Sequence, residues 1–207
     1  MVALTDPDED SPGAMLARML ADHRTFLENV YSLMRFVEAE VTRHGWELVK
    51  PGGYGVTRDG KGSGLATFRD WAISQAGVAF VRPGHAQLVQ GVTNTEIPAD
   101  GLEVLIFQVR WLDKAPGEPA VWHARLTAEP EASTRPRKWE DYQTMVFNRL
   151  EPEARSGEAR AGNVRPGRAS ISGSAIVFTG RYAEVPVTAI QNEQDVVSQL
   201  VEPALAD

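Results

Sequence analysis

The chain of 207 residues contains no cysteine. That absence excludes disulfides, thiolate metal sites and cysteine nucleophiles, and it suits a reducing compartment. Lysine is sparse too: arginine heavily outnumbers it, while Ala, Gly and Val are common. Such a composition points to a GC-rich bacterial genome. No apolar run approaches the length that spans a bilayer. The first ten residues hold Asp6, Asp8, Glu9 and Asp10 where a secretory signal needs positive charge. The expectation is a cytoplasmic protein with no membrane partner. Acidic residues outnumber basic ones by 28 to 21, and the net charge of -7 disfavours broad attachment to nucleic acid or anionic lipid.

What is present begins with a helical pattern over residues 14–44, free of internal Gly and Pro. Leu16, Met19 or Leu20, His23, Leu27, Val30, Met34, Val37 and Val41 recur three or four apart, on one stripe. Ser11 and Pro12 offer an N-cap and a first-turn proline, and Gly45 offers the left-handed residue that stops a helix. A helix over this span would be about 46 Å long. A compact chain of this size is only roughly 40–45 Å across. The helix therefore crosses the whole domain, breaks, or projects toward a partner; its stripe suits the backing of a sheet, with His23 at the core or its boundary.

Short strands are expected at 46–50, 54–58 and 78–82, and a second helix at 65–76 closed by Gly77. The clearest β pattern is a hairpin over 102–128. Leu105, Phe107, Val109 and Trp111 alternate with other residues, as do Trp122, Ala124, Leu126 and Ala128 after a Pro/Gly loop, and both rows are expected to face the core. Further strands are expected at 87–92, 175–178 and 182–190, with Pro186 demoting the last toward an edge. Trp139, Tyr142, Val146 and Leu150 suggest a third helix. Asn192 and Asp195 form a capping-box pair ahead of a short C-terminal helix. The fold class is α+β: a mainly antiparallel sheet packed against a long N-terminal helix, with shorter helices including one at the C-terminus. Residues 1–10 are expected to be a disordered acidic tail. Residues 11–207 are expected to form a single domain, with a flexible basic loop at about 151–173.

Four motifs carry candidate chemistry. Residues Gly55 to Lys61 match a phosphate-binding loop up to its lysine, but Gly62 stands where a magnesium-binding hydroxyl is needed. Asp59-Gly60 suits a hairpin turn instead. Asp100 and Glu103, ahead of a strand bearing Gln108 and Arg110, are a degenerate echo of a metal-dependent nuclease core that lacks its lysine. With the hairpin turn centred on Pro116-Gly117, Arg110 opposes His123 and Gln108 opposes Arg125. These four would then form one donor cluster suited to a phosphate or carboxylate. The ordinary alternative is a solvated sheet face, or one covered by an acidic loop such as 129–131. Arg135, Arg137 and Lys138 run into Trp139, a pattern able to contact nucleic acid or an acidic partner. The four histidines show no metal-ligand spacing, and no serine sits in a nucleophile elbow. No metal, cofactor or catalytic residue is therefore expected.

The leading expectation is a non-catalytic cytoplasmic binding or assembly module of a bacterial complex, with a protein partner or a second copy of itself. The alternative is an enzyme or sensor acting on a phosphate-bearing ligand, a nucleotide or nucleic acid. It would use Gln108, Arg110, His123 and Arg125 for the anion and Asp100 or Glu103 as metal or base groups.

Overall fold

Ser11 and Pro12 start the long helix in the way their chemistry favours. Helix α1 spans Pro12–Arg43, and the Ala14 amide donates to Ser11 Oγ at 3.2 Å. Gly45, at φ 79°, turns the chain out of it. The structure, a computed structural model, describes residues 11–49, 54–58, 73–84, 96–97, 101–110, 119–130, 137–138, 151–152, 161–165, 169–171 and 174–206.

After α1 the strands are β1 (Glu47–Leu48), β2 (Tyr54–Arg58), β3 (Ile73–Val81), β4 (Glu96–Ile97), β5 (Glu103–Arg110) and β6 (Ala120–Pro130). Then follow β7 (Arg137–Lys138), β8 (Glu151–Pro152), β9 (Ala161–Arg165), β10 (Ala169–Ile171) and β11 (Ser174–Pro186). The main sheet runs β1-β3-β5-β6-β11-β9-β8, with β2 also on β3 and β10 on β11; β4 and β7 pair separately. Every pairing among the described residues is antiparallel. The chain is an α+β protein built on a mainly antiparallel sheet.

The C-terminal helix α2 is an α-helical turn (Glu193–Val196), a π-helical turn (Val197–Val201) and a last α-helical turn (Glu202–Leu205). Its start is the expected capping box: the Asp195 amide donates to Asn192 Oδ1, and the Asn192 amide to Asp195 Oδ2. The wide middle turn has a cause in Pro203, which has no N–H and whose ring crowds the carbonyl four residues back.

Both faces of the central strands are buried. On one, the α1 residues Val30, Met34, Val37 and Val41 and the α2 residues Val196, Leu200 and Val201 pack on Phe80, Leu105, Phe107, Val109 and Val121. On the other lie Val104, Ile106, Leu126 and Phe178, all fully buried. Each such side chain contributes about 1.5–3 kcal/mol by leaving water.

Several sequence expectations are corrected. Ile73–Ala76, taken as the end of a second helix, belongs to β3, where Gln75 faces Thr57 on one side and Arg110 on the other. Two ladders hold this segment extended whatever its local helical spacing. The stretch read as a flexible loop at 151–173 contains β8, β9 and β10. The two strands expected at 175–178 and 182–190 are one, β11. It lies inside the sheet between β6 and β9, and Pro186 is tolerated because it is the last residue. The expected elements at 87–92 and 139–150, and residues 1–10, lie outside the described residues, as do 65–72.

The long stripe of α1 is also divided. Its C-terminal half packs on β1, β3 and α2, as expected of a sheet backing. Its first three turns do not: Met15, Leu16, Met19 and Leu20 are 56–63% exposed, and His23 is exposed rather than at the core, while Phe26 is the first residue to pack on the cluster.

Candidate functional site

The hairpin register decides the fate of the four-residue donor cluster. Phe107 opposes His123, Leu105 opposes Arg125, Gln108 opposes Trp122 and Arg110 opposes Ala120. This is three residues away from a turn centred on Pro116-Gly117. An odd slip sends the side chains of one strand to the opposite face. Gln108 and Arg110 therefore share a face with Trp122, while His123 and Arg125 lie on the α1 side with Phe107 and Leu105. The aromatic rows are parted in the same way, so only the Leu105, Phe107 and Val109 row meets α1.

Neither half is a wet sheet face. Gln108 is fully buried, and its Oε1 accepts from Arg110 Nε and Nη2 at 3.0 and 2.9 Å. The Arg110 guanidinium also lies 4.4 Å from the Trp122 ring centroid, a cation–π contact. His123 is 3% exposed and stacks on Phe107 with centroids 6.0 Å apart. Its Nε2 is buried without a hydrogen-bond partner among the described residues, and burial pushes its pKa down to about 4.

Arg125 belongs to a second constellation. Its Nη2 donates to Glu103 Oε1 at 3.0 Å, and Arg82 Nε donates to Glu103 Oε2 at 2.9 Å. Arg82 lies 4.2 Å above the Trp46 ring, and Arg125 Nη1 reaches the Leu205 carbonyl at 3.4 Å. Burial acts to raise the Glu103 pKa, but the hydrogen bonds and charges of Arg82 and Arg125 outweigh it and hold the carboxyl below the usual range. Glu103, weighed from sequence as a metal or base group, is thus a carboxylate held between two guanidiniums. It joins the end of β3 to β5, β6 and the end of α2. Glu103→Gln is expected to cost about 1–2 kcal/mol at neutral pH. The contribution is present above the ordinary glutamate pKa and disappears as pH falls through the lowered one. Urea midpoints of wild type and variant should therefore converge in acid, and a constant gap would refute the ion-pair account.

The remaining candidates are placed more coarsely. Arg137 and Lys138 are the two residues of β7, opposite Ile97 and Glu96. Asp100 and Arg135 lie outside the described residues. Gly55 to Arg58 are in β2, paired along β3, so the first half of the phosphate-loop match is strand rather than loop. Among the described residues no group of three His, Asp or Glu side chains could hold a metal ion, and no helix is long and apolar enough to cross a membrane.

What the described structure leaves open to a partner is the first half of α1. Met15, Leu16, Met19 and Leu20 there, with Tyr31 just past the midpoint, are the large exposed apolar side chains among the described residues, Tyr31 at 66%. Together they present roughly 500 Å² of apolar surface, within the size range of the largest patch on a soluble monomer, a patch that is often functional. The sequence carried this signal in a stripe longer than the domain can cover. The Trp46, Arg82, Glu103 and Arg125 clasp had no comparable signal, since only the strand register brings its members together. Compared with known proteins, the chain matches no family model, no curated protein and no solved structure.

Proposed function

We propose that the protein is a non-catalytic binding or assembly module that attaches to a protein partner through the N-terminal half of α1. The observation that carries this reading is the run of exposed apolar residues from Met15 to Leu20 on a helix whose other half is firmly held in the core. A helix end without tertiary packing is marginal in water, and a partner that covers its apolar stripe removes that weakness. The absence of cysteine and the Arg-rich, Lys-poor composition favour a bacterial, cytoplasmic setting. The alternative, a phosphate-bearing ligand held by Gln108, Arg110, His123 and Arg125, is less favoured because those side chains lie on two faces and two of them are buried.

Chemical cross-linking of the full chain in the cells that produce it tests the proposal, with wild type set against a Leu16→Glu/Leu20→Glu variant. The expected result is a higher-mass adduct in wild type that is lost in the variant, with equal melting temperatures for the two purified chains at concentrations too low for assembly, because both positions are exposed in the single chain. A monomer band alone in wild type would sink the reading.

A further inference from the structure

We infer that the occupant of the α1 face is a second copy of this chain, paired antiparallel through residues 12–31. This inference rests on the assembly reading above and names its partner.

The first ground is continuity of spacing. The buried Val30, Met34, Val37 and Val41 repeat at alternating steps of four and three. Leu16, Leu20, His23 and Leu27 extend the same repeat outward without a break. A repeat averaging 3.5 residues is the one that keeps a seam facing a neighbouring helix along its whole length. Met19, 63% exposed, widens the stripe along one flank, and Phe26 one step further along that flank is where the helix begins to pack on its own core.

The second ground is charge. The exposed half carries Arg18 and Arg24 against Asp22 and Glu28, so it is formally neutral in a chain of net charge -7. Arg24 already donates to Glu28 at 2.9 Å on its own helix. A strongly acidic or basic partner would find no opposing field here, whereas a second copy meets no net repulsion.

The third ground is area. Two faces of roughly 500 Å² bury at most roughly 1,000 Å² in total, the size of weak, transient interfaces rather than of permanent ones. That suits a dimer of modest affinity.

The antiparallel order follows from the chain itself. Pairing Leu16 with Leu27 and Leu20 with His23 matches apolar with apolar at the ends. It also avoids stacking His23 on His23, sends the two sheet-bearing bodies to opposite ends, and lets the helix dipoles oppose.

Light scattering on the purified full chain at micromolar and higher concentrations measures the mass. The absence of native cysteine makes introduced thiols clean reporters of register. Expected results are a mass twice that of the chain in wild type, a single-chain mass in Leu16→Glu/Leu20→Glu, and ready oxidation of mixed Leu16→Cys and Leu27→Cys chains to a linked dimer. Leu16→Cys alone should link poorly, and efficient self-linking would overturn the antiparallel order. A wild-type dimer untouched by the double substitution would overturn the surface. A wild-type monomer would overturn the second copy. With the in-cell adduct still formed, the assembly reading survives that result; with no adduct, both fail.

Discussion

Gly180→Ala is expected to destabilise the protein by about 3–5 kcal/mol, combining steric overpacking with backbone strain. Gly180 lies in the middle of β11, directly opposite Leu126 of β6. A Cβ built there would stand 2.0 Å from the Arg125 carbonyl oxygen and 3.0 Å from the Leu126 Cα. Both are backbone atoms of a central strand, so the clash cannot be relieved by turning a side chain. Either β11 lifts away from β6 or the ladder breaks, and Arg125, which holds Glu103, moves with it. Gly45 supplies the control. Its φ is 79°, but nothing lies within 4 Å of an added Cβ. Gly45→Ala should therefore cost only the backbone penalty of about 1 kcal/mol. Urea unfolding of both variants separates the two effects, and equal losses would refute the close-approach account. The same glycine explains why β11 reads as two strands in the sequence. A lone glycine beside Thr179 and Arg181 resembles a break, while in the sheet it marks the point where a neighbouring backbone comes nearest.

The parts of this fold legible in the sequence are those determined by local chemistry. Ser11, Pro12 and Gly45 delimit α1, and Asn192 with Asp195 starts α2, because caps and turn residues act within a few positions of themselves. The alternating runs of β5 and β6 are legible for the same reason. Register is not local. The apolar residues alternate identically whether Arg110 faces His123 or Ala120, and the connection between the strands decides which. Because both faces of these strands are buried, the usual cue of a polar outer row is missing. A turn centred on Pro116-Gly117 therefore places Arg110 and His123 on one face, whereas the actual register puts them on two. The helical spacing at Ile73–Ala76 misled similarly, since ladders on both sides override weak local preference. The exposed half of α1 was legible as an excess of length over domain size, although the sequence alone could not say which half the sheet would cover.

His123 is expected to make the protein acid-labile in a defined window. Its ring packs on Phe107, and its other cross-strand neighbour is Ala183, so neither adjacent side chain offers an acceptor to an added proton. In the unfolded chain the imidazole titrates near 6.5, but in the fold burial lowers that to about 4. Below the first value the unfolded state takes up a proton that the folded state refuses, so protons favour unfolding. The sign is therefore fixed: stability is complete above pH about 6.5 and declines as pH falls toward about 4, by about 3 kcal/mol in all. Below that range the ring is protonated in both states and its contribution to the slope ends, leaving carboxylates such as Glu103 to dominate. His123→Leu keeps a similar volume and removes the buried Nε2 that lacks a partner among the described residues. At neutral pH the variant should match wild type or exceed it by up to about 1 kcal/mol. Between pH about 6.5 and about 4 its stability should stay nearly level while that of wild type falls. Urea midpoints across that range make the comparison direct. If both proteins lose stability in parallel, the acid response arises elsewhere and His123 is no more than a packed ring.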